Sequence, residues 1–177
     1  THLVYGTYYV VETAAPVGYQ LDNTWHKVSI NQQTVLLPMR NTPVNGSIRV
    51  VKKAAGEERT LAGAQFELLV KTRRGYERAK TEDGEEIPVL TTDANGMATW
   101  AGIDYGDYYV HEVMPPEGYL ANDEYVPISV RVQDALSYAS VSNEIIRGKL
   151  RIQKRDALTK ELLAGAAFTL TRLSAPA

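Results

Sequence analysis

The chain has 177 residues, enough for one or two domains with a sizeable core. Its net charge of −2 points to no nucleic-acid or membrane-surface partner, and no apolar run approaches the ~18 residues of a membrane span, so no membrane insertion is expected. Cysteine is absent, which excludes disulfides and thiolate metal sites and leaves any covalent staple to other chemistry. No signal-peptide pattern is present and the first residue is Thr1, so the sequence reads as a piece of a longer protein. Eleven tyrosines against two phenylalanines, with many Val and Thr, favour sheet surfaces.

Taken in order, the chain repeats itself. YGTYYVVETAAPVGY from Tyr5 matches YGDYYVHEVMPPEGY from Tyr105. GSIRVVK at 46–52 matches GKLRIQK at 148–154, and LAGAQFEL at 61–68 matches LAGAAFTL at 163–170. The expected division is a C-terminal part of one repeat (1–43), a complete repeat (46–143) and an N-terminal part of another (147–177). A repeat of about 100 residues is domain-sized, unlike the short units of a solenoid. The charge divides unevenly: 46–143 carries 10 basic and 16 acidic residues, whereas 147–172 carries 7 and 2. Ordinary solvated faces account for that asymmetry.

Within 46–143 short strands alternate with turns. Strands are predicted near 47–53, 64–70, 76–80, 87–90, 97–100, 107–113, 125–132 and 136–143. Asn95–Gly96 supplies a tight turn, and the two prolines of MPPEG cannot continue a central strand. No convincing helical period exists; LTKELLAG at 158–165 reads as loop from its counterpart ERTLAG. The pattern fits an all-β, two-sheet antiparallel sandwich of about seven strands in tandem repeats, although a small barrel would satisfy it too.

Three polar residues sit on faces that otherwise read as core. Lys52 shares its strand face with Ile48 and Val50, Glu112 with Tyr108 and Val110, and Asn143 with Ala139 and Val141. A buried charge is costly unless paired or neutralised, so these three require a common explanation. Lys53 faces the other way, and its repeat counterpart is Arg155. His111 faces away from Glu112 and reads as surface. His2 and His26 lack metal-site companions, and Asp93 with Asn95 fits a turn, so no metal or cofactor is expected. Tyr105, Tyr108, Tyr109, Tyr119 and Tyr125 fit core edges and corners better than a sugar site, and Trp100 reads as core.

GSIRVVKK, LAGAQFEL, TTDANGMATW, YGDYYVHEVMPPEGY and VSN together resemble the B-type repeat of collagen-adhesin proteins, the SpaA-type, prealbumin-like domain of Gram-positive surface adhesins and pilins. The resemblance covers the whole of 46–143 and the matching parts of both ends. It implies a spontaneous isopeptide bond between Lys52 and Asn143 with Glu112 as the catalytic acid. The corresponding partial sets are Glu12 and Asn41 in 1–43, and Lys154 in 147–177. Burial favours the neutral amine that must attack, and a neutral Glu112 would donate a hydrogen bond to the Asn143 carbonyl oxygen and shuttle protons.

The implied function is a stalk module of an extracellular, cell-wall-anchored protein whose anchor lies outside this stretch. Direct binding of host matrix or another pilin subunit is the alternative. Adjacent repeats are the expected partners, and self-cross-linking is a single turnover, not enzyme activity. The two incomplete ends are expected to associate weakly without efficient cross-linking.

Overall fold

The computed structural model describes residues 3–171 and 173. Among the described residues there are ten strands. β1 (Gly6–Val10) and β2 (His26–Ile30) form a two-stranded antiparallel unit of their own. The others are β3 (Asn45–Ala54), β4 (Gln65–Thr72), β5 (Gly75–Arg78), β6 (Leu90–Thr91), β7 (Met97–Asp104), β8 (Gly106–Met114), β9 (Tyr125–Val130) and β10 (Leu136–Asn143). They make two sheets, one ordered β10-β3-β7 and the other β5-β4-β8-β9 with β6 also on β4. The expected all-β sandwich is therefore present. Among the described residues no helix is long and apolar enough to cross a membrane.

Strict alternation builds the sandwich. Every second residue of β3 from Gly46 to Ala54 is buried, and β8 and β10 bury Tyr108, Val110, Ala139 and Val141 on the same principle. These side chains meet Phe66, Leu68, Trp100 and Ile103 in one continuous core. Fully buried residues such as Ile48, Phe66 and Leu68 each contribute about 2 kcal/mol of apolar transfer energy. A smaller cluster of Ala54, Leu61 and Tyr119 closes one end of the sandwich.

One ladder departs from the antiparallel expectation. β3 and β10, the first and last strands of the sandwich, pair in parallel from Leu136 opposite Ser47 to Asn143 opposite Ala54. Side-chain alternation is the same for either polarity, so only the long connection through β4–β9 reveals the direction.

The 147–171 segment is the second departure. Its predicted strands at GKLRIQK and LAGAAFTL do not form among the described residues, and their apolar side chains are exposed. The matching strands β3 and β4 lie between neighbours on both sides, and this segment has none. What remains is the turn between them. Leu163 N donates to Lys154 O at 2.9 Å, as Leu61 N does to Lys52 O at 2.9 Å.

Gly96 sets the local register of β3. Its carbonyl accepts from Lys52 N at 2.8 Å, and its φ is +71°. A Cβ there would lie 2.8 Å from both Lys52 O and Leu61 N, which are backbone atoms with little freedom to yield. Gly96→Ala is expected to cost about 2 kcal/mol or more in urea denaturation. An unchanged midpoint would refute that account of the turn.

Candidate functional site

The two sheets bring Lys52, Glu112 and Asn143 together at one end of the core. Val141 lies directly opposite Lys52 in the parallel ladder, so Asn143 is the diagonal neighbour on the same inward face. Glu112 comes from the facing sheet, opposite Phe66 on β4. The side chains of Lys52 and Glu112 are 0% and 1% exposed, and Asn143 is equally enclosed.

The contacts run in a triangle. Lys52 Nζ lies 2.8 Å from Glu112 Oε1, within ion-pair reach. Lys52 Nζ also donates to Asn143 Oδ1. Asn143 Nδ2 donates to Glu112 Oε2 at 2.7 Å, closing the set. The amide nitrogen, not the carbonyl oxygen, therefore faces Glu112. This corrects the expected donation from Glu112 to the Asn143 carbonyl. Oε1 faces the amine, and Oε2 accepts from the amide nitrogen.

Burial pulls the Lys52 pKa below its ordinary 10.5, partly offset by the hydrogen bond and charge of Glu112. The Phe66 ring strengthens the exclusion of water, its centroid 5.5 Å from Nζ. Asn122 fixes the acid: its backbone N–H donates to Glu112 Oε2 at 3.0 Å, while its Nδ2 donates to Ser142 O at 3.0 Å. A surface depression of about 300 Å3, lined by Leu120, Asn122, Ser142 and Asn143, opens beside the amide.

Phe66 and Asn122 escaped the sequence reading. Phe66 had a signal, because Phe168 holds the same place in the second LAGA motif. Asn122 had a weaker one, since its counterpart Asp22 differs in side chain and only the backbone N–H is shared.

The partial set in 1–43 is built alike. Asn41 Nδ2 donates to Glu12 Oε2 at 2.7 Å, and Asp22 N donates to the same oxygen at 2.9 Å. The acid and amide thus meet without a lysine. Lys154 lies on the exposed 147–171 segment.

Other sequence expectations divide. Lys53 points outward and pairs with Glu58. His111 lies on the outer face of its sheet, half-buried, with Nδ1 3.0 Å from Glu67 Oε1. His26 pairs with Asp22 at 2.8 Å. Tyr108, Tyr119 and Trp100 are buried as expected. Tyr109 and Tyr125 are not core-edge residues: both meet Tyr76 on the outer face, Tyr125 stacked on it with centroids 4.1 Å apart and Tyr109 edge-on at 4.9 Å. Long side chains lying across the intervening strands allow that contact. Among the described residues no three His, Asp or Glu side chains cluster in a way that could hold a metal ion.

The family described as the SpaA prealbumin-like fold domain matches residues 1–43 and 46–145. The chain belongs to that family. Solved structures agree on the fold of this SpaA-type chain. The Bacillus anthracis TIE protein is 26% identical with a TM-score of 0.66, over 81% of this chain and 26% of that one. A streptococcal ancillary pilin is 23% identical with a TM-score of 0.50, over 81% and 43% of the two chains. The full-length major pilin SpaD of Corynebacterium diphtheriae is 20% identical with a TM-score of 0.51, over 71% and 34%. The SpaA-type chain thus spans less than half the length of each of these structures. No curated protein sequence matches it.

Proposed function

We propose that this SpaA-type chain is part of an extracellular stalk in a Gram-positive surface adhesin or pilin, of the collagen-adhesin B-type, stapled by an autocatalytic Lys52–Asn143 amide. The observation that carries this reading is the closed, buried triangle of Lys52, Glu112 and Asn143. The proposed division is a complete repeat at 46–143 between parts of repeats at 1–43 and 147–177. Support comes from the family match, which breaks between Pro43 and Gly46, and from the repeated hydrogen bonds around Glu12 and Glu112. Neighbouring repeats are its constant partners, and a surface location follows the pilin relatives.

The chemistry follows from the contacts. Glu112 Oε1 takes a proton from the Lys52 ammonium, giving an amine that can attack. Nζ then bonds to Asn143 Cγ. The Cγ–Nδ2 bond breaks as Glu112 Oε2, already at hydrogen-bond distance from Nδ2, delivers a proton to the leaving nitrogen. Nζ sheds two protons in all, and both leave on Nδ2 as ammonium, which returns Glu112 to the carboxylate. Fixed proximity supplies the effective molarity that a poor electrophile needs. Glu112 is the catalytic residue of one self-directed turnover, so no substrate is consumed repeatedly.

Intact mass tests this directly. The denatured chain should weigh about 17 Da less than its sequence, with a branched peptide joining Lys52 and Asn143. An unmodified mass in folded protein would end the proposal.

The pH dependence has a definite sign. Because the folded-state Lys52 pKa lies below 10.5, the unlinked folded chain holds fewer protons than the unfolded chain between those two values. Its stability therefore rises with pH across that window. The neutral amine fraction rises as well, so closure after refolding should accelerate with pH and level off below pH 10.5. Mass spectra taken at intervals after dilution from denaturant measure this, and a rate falling steadily from neutral to alkaline pH would contradict it.

A further inference from the structure

The outer face of the β5-β4-β8-β9 sheet carries an aromatic cluster that the Lys52 site does not use. Tyr76 lies on β5 and Tyr125 on β9, the two outermost strands of that sheet. Their rings nonetheless meet across β4 and β8, with planes 16° from parallel and centroids 4.1 Å apart. Tyr109 of β8 meets Tyr76 differently, edge-on at 75°.

The stack is held in place by its neighbours. His111 lies against Tyr125 with centroids 4.5 Å apart and planes 10° from parallel, and its Nδ1 is 3.0 Å from Glu67 Oε1. Lys71 Nζ lies 5.8 Å from the centroid of the Tyr76 ring. By alternation Leu69 shares this outer face with Glu67 and Lys71, yet it is only 5% exposed, with Tyr109 directly opposite. The rings thus belong to a packed layer, unlike loose surface side chains. They still reach solvent, Tyr76 being 38% and Tyr125 41% exposed.

We infer that Tyr76 and Tyr125 form an oxidative coupling site, closing to an intramolecular dityrosine when the chain meets a one-electron oxidant of the peroxidase and hydrogen peroxide class. Each phenol gives up one electron and its hydroxyl proton. The unpaired electron of a phenoxyl occupies a π orbital that stands perpendicular to the ring, with high density on the carbons ortho to oxygen. Stacked rings aim those lobes at each other, so a bond forms between a Cε carbon of Tyr76 and one of Tyr125. Each coupled carbon then releases its hydrogen as a proton, and each oxygen regains one, which restores both phenols. Two hydrogen atoms leave the protein in all, and the peroxide is reduced to two water molecules. Rings already in contact supply the effective molarity for the coupling. The edge-on Tyr109 ring holds its π lobes out of line with those of Tyr76, so it is not a partner.

Such a bond would do for this sheet what the Lys52–Asn143 amide does for the other. The amide ties β3 to β10, and a Tyr76–Tyr125 bond would tie β5 to β9 across the two strands between them. The chain has no cysteine with which a disulfide could do the same. The coupling needs no part of the Lys52, Glu112 and Asn143 set.

Treating the whole chain, at high dilution, with a haem peroxidase and limiting hydrogen peroxide tests this. The monomeric product should lose about 2 Da, gain the blue fluorescence of dityrosine and yield one branched peptide joining Tyr76 to Tyr125. Tyr76→Phe and Tyr125→Phe keep a ring in the stack but lack the phenol, and each should lower the fluorescence of the monomer about tenfold. Tyr109→Phe should couple as the parent does. An unchanged mass in the parent monomer, a branched peptide joining any other tyrosines, or undiminished coupling in Tyr76→Phe would each overturn the inference. The peptide map is made on the parent, so a variant that folds poorly does not decide the outcome. The loss of about 17 Da at Lys52 and Asn143 is resolved from this change in the same spectra, so failure here leaves the stapling proposal standing.

Discussion

Replacing Glu112 with alanine should yield a folded chain that keeps its full sequence mass. The fold survives because the core formed by Ile48, Val50, Phe66 and Val110 does not depend on the carboxylate. Bond closure does depend on it. Glu112 is the group that touches both the attacking amine and the departing nitrogen, and loss of such an acid-base costs roughly 10²–10⁴-fold in rate. The variant also strips Lys52 of the hydrogen bond and charge that counter the downward pull of burial on its pKa. Neutral amine will then be more abundant, yet closure should still be slow, because proton delivery to Nδ2 has been lost. Mass spectra of freshly refolded and aged protein separate the two effects. If the alanine variant loses ammonia as fast as the parent, the assignment of Glu112 fails.

Lys52→Met should produce the largest loss of stability. Methionine keeps the apolar stem beside Phe66 while removing the amine. The lost link spans 91 residues, and a closure of that length is worth about 4–5 kcal/mol by the chain-entropy relation for disulfides. For a unit of this size that corresponds to a melting point lower by roughly 20 °C or more. Lys53→Met serves as the control, because its ion pair with Glu58 is exposed and a surface pair contributes little. Calorimetry of the two variants beside the parent decides the matter. Equal melting points for Lys52→Met and Lys53→Met would contradict the staple.

The strand faces were legible because alternation is a local property. Lys52, Glu112 and Asn143 stood out as polar residues on runs such as Ile48–Val50 and Tyr108–Val110, and each is buried where the parity put it. Pairing is not local. Nothing near Leu136 signals that its neighbour is Ser47 or that the two strands run the same way. The failure of 147–171 to form strands has the same origin: GKLRIQK carries the pattern of β3, but a strand needs flanking ladders that its own sequence does not encode. The orientation of the Asn143 amide depends on atoms from three strands and a loop, beyond the reach of any spacing rule. Tyr109 and Tyr125 were misread because tyrosine suits a core edge and an outer face equally well, and only Tyr76 on β5 decides between them.

The parallel alignment of β3 and β10 also governs what a pull along the chain would do. Tension applied through Val44 and Glu144 draws the two strands lengthwise in opposite senses, so the ladder resists in shear, with its hydrogen bonds loaded together instead of opening one by one. With the amide closed, the force leaves β3 at Lys52 and passes through one covalent bridge into Asn143, near the exit of the sandwich. Residues 53–142 then hang outside the taut line. About 300 Å of chain that would otherwise pay out on unfolding remains stored, and the module transmits load as an almost inextensible rod.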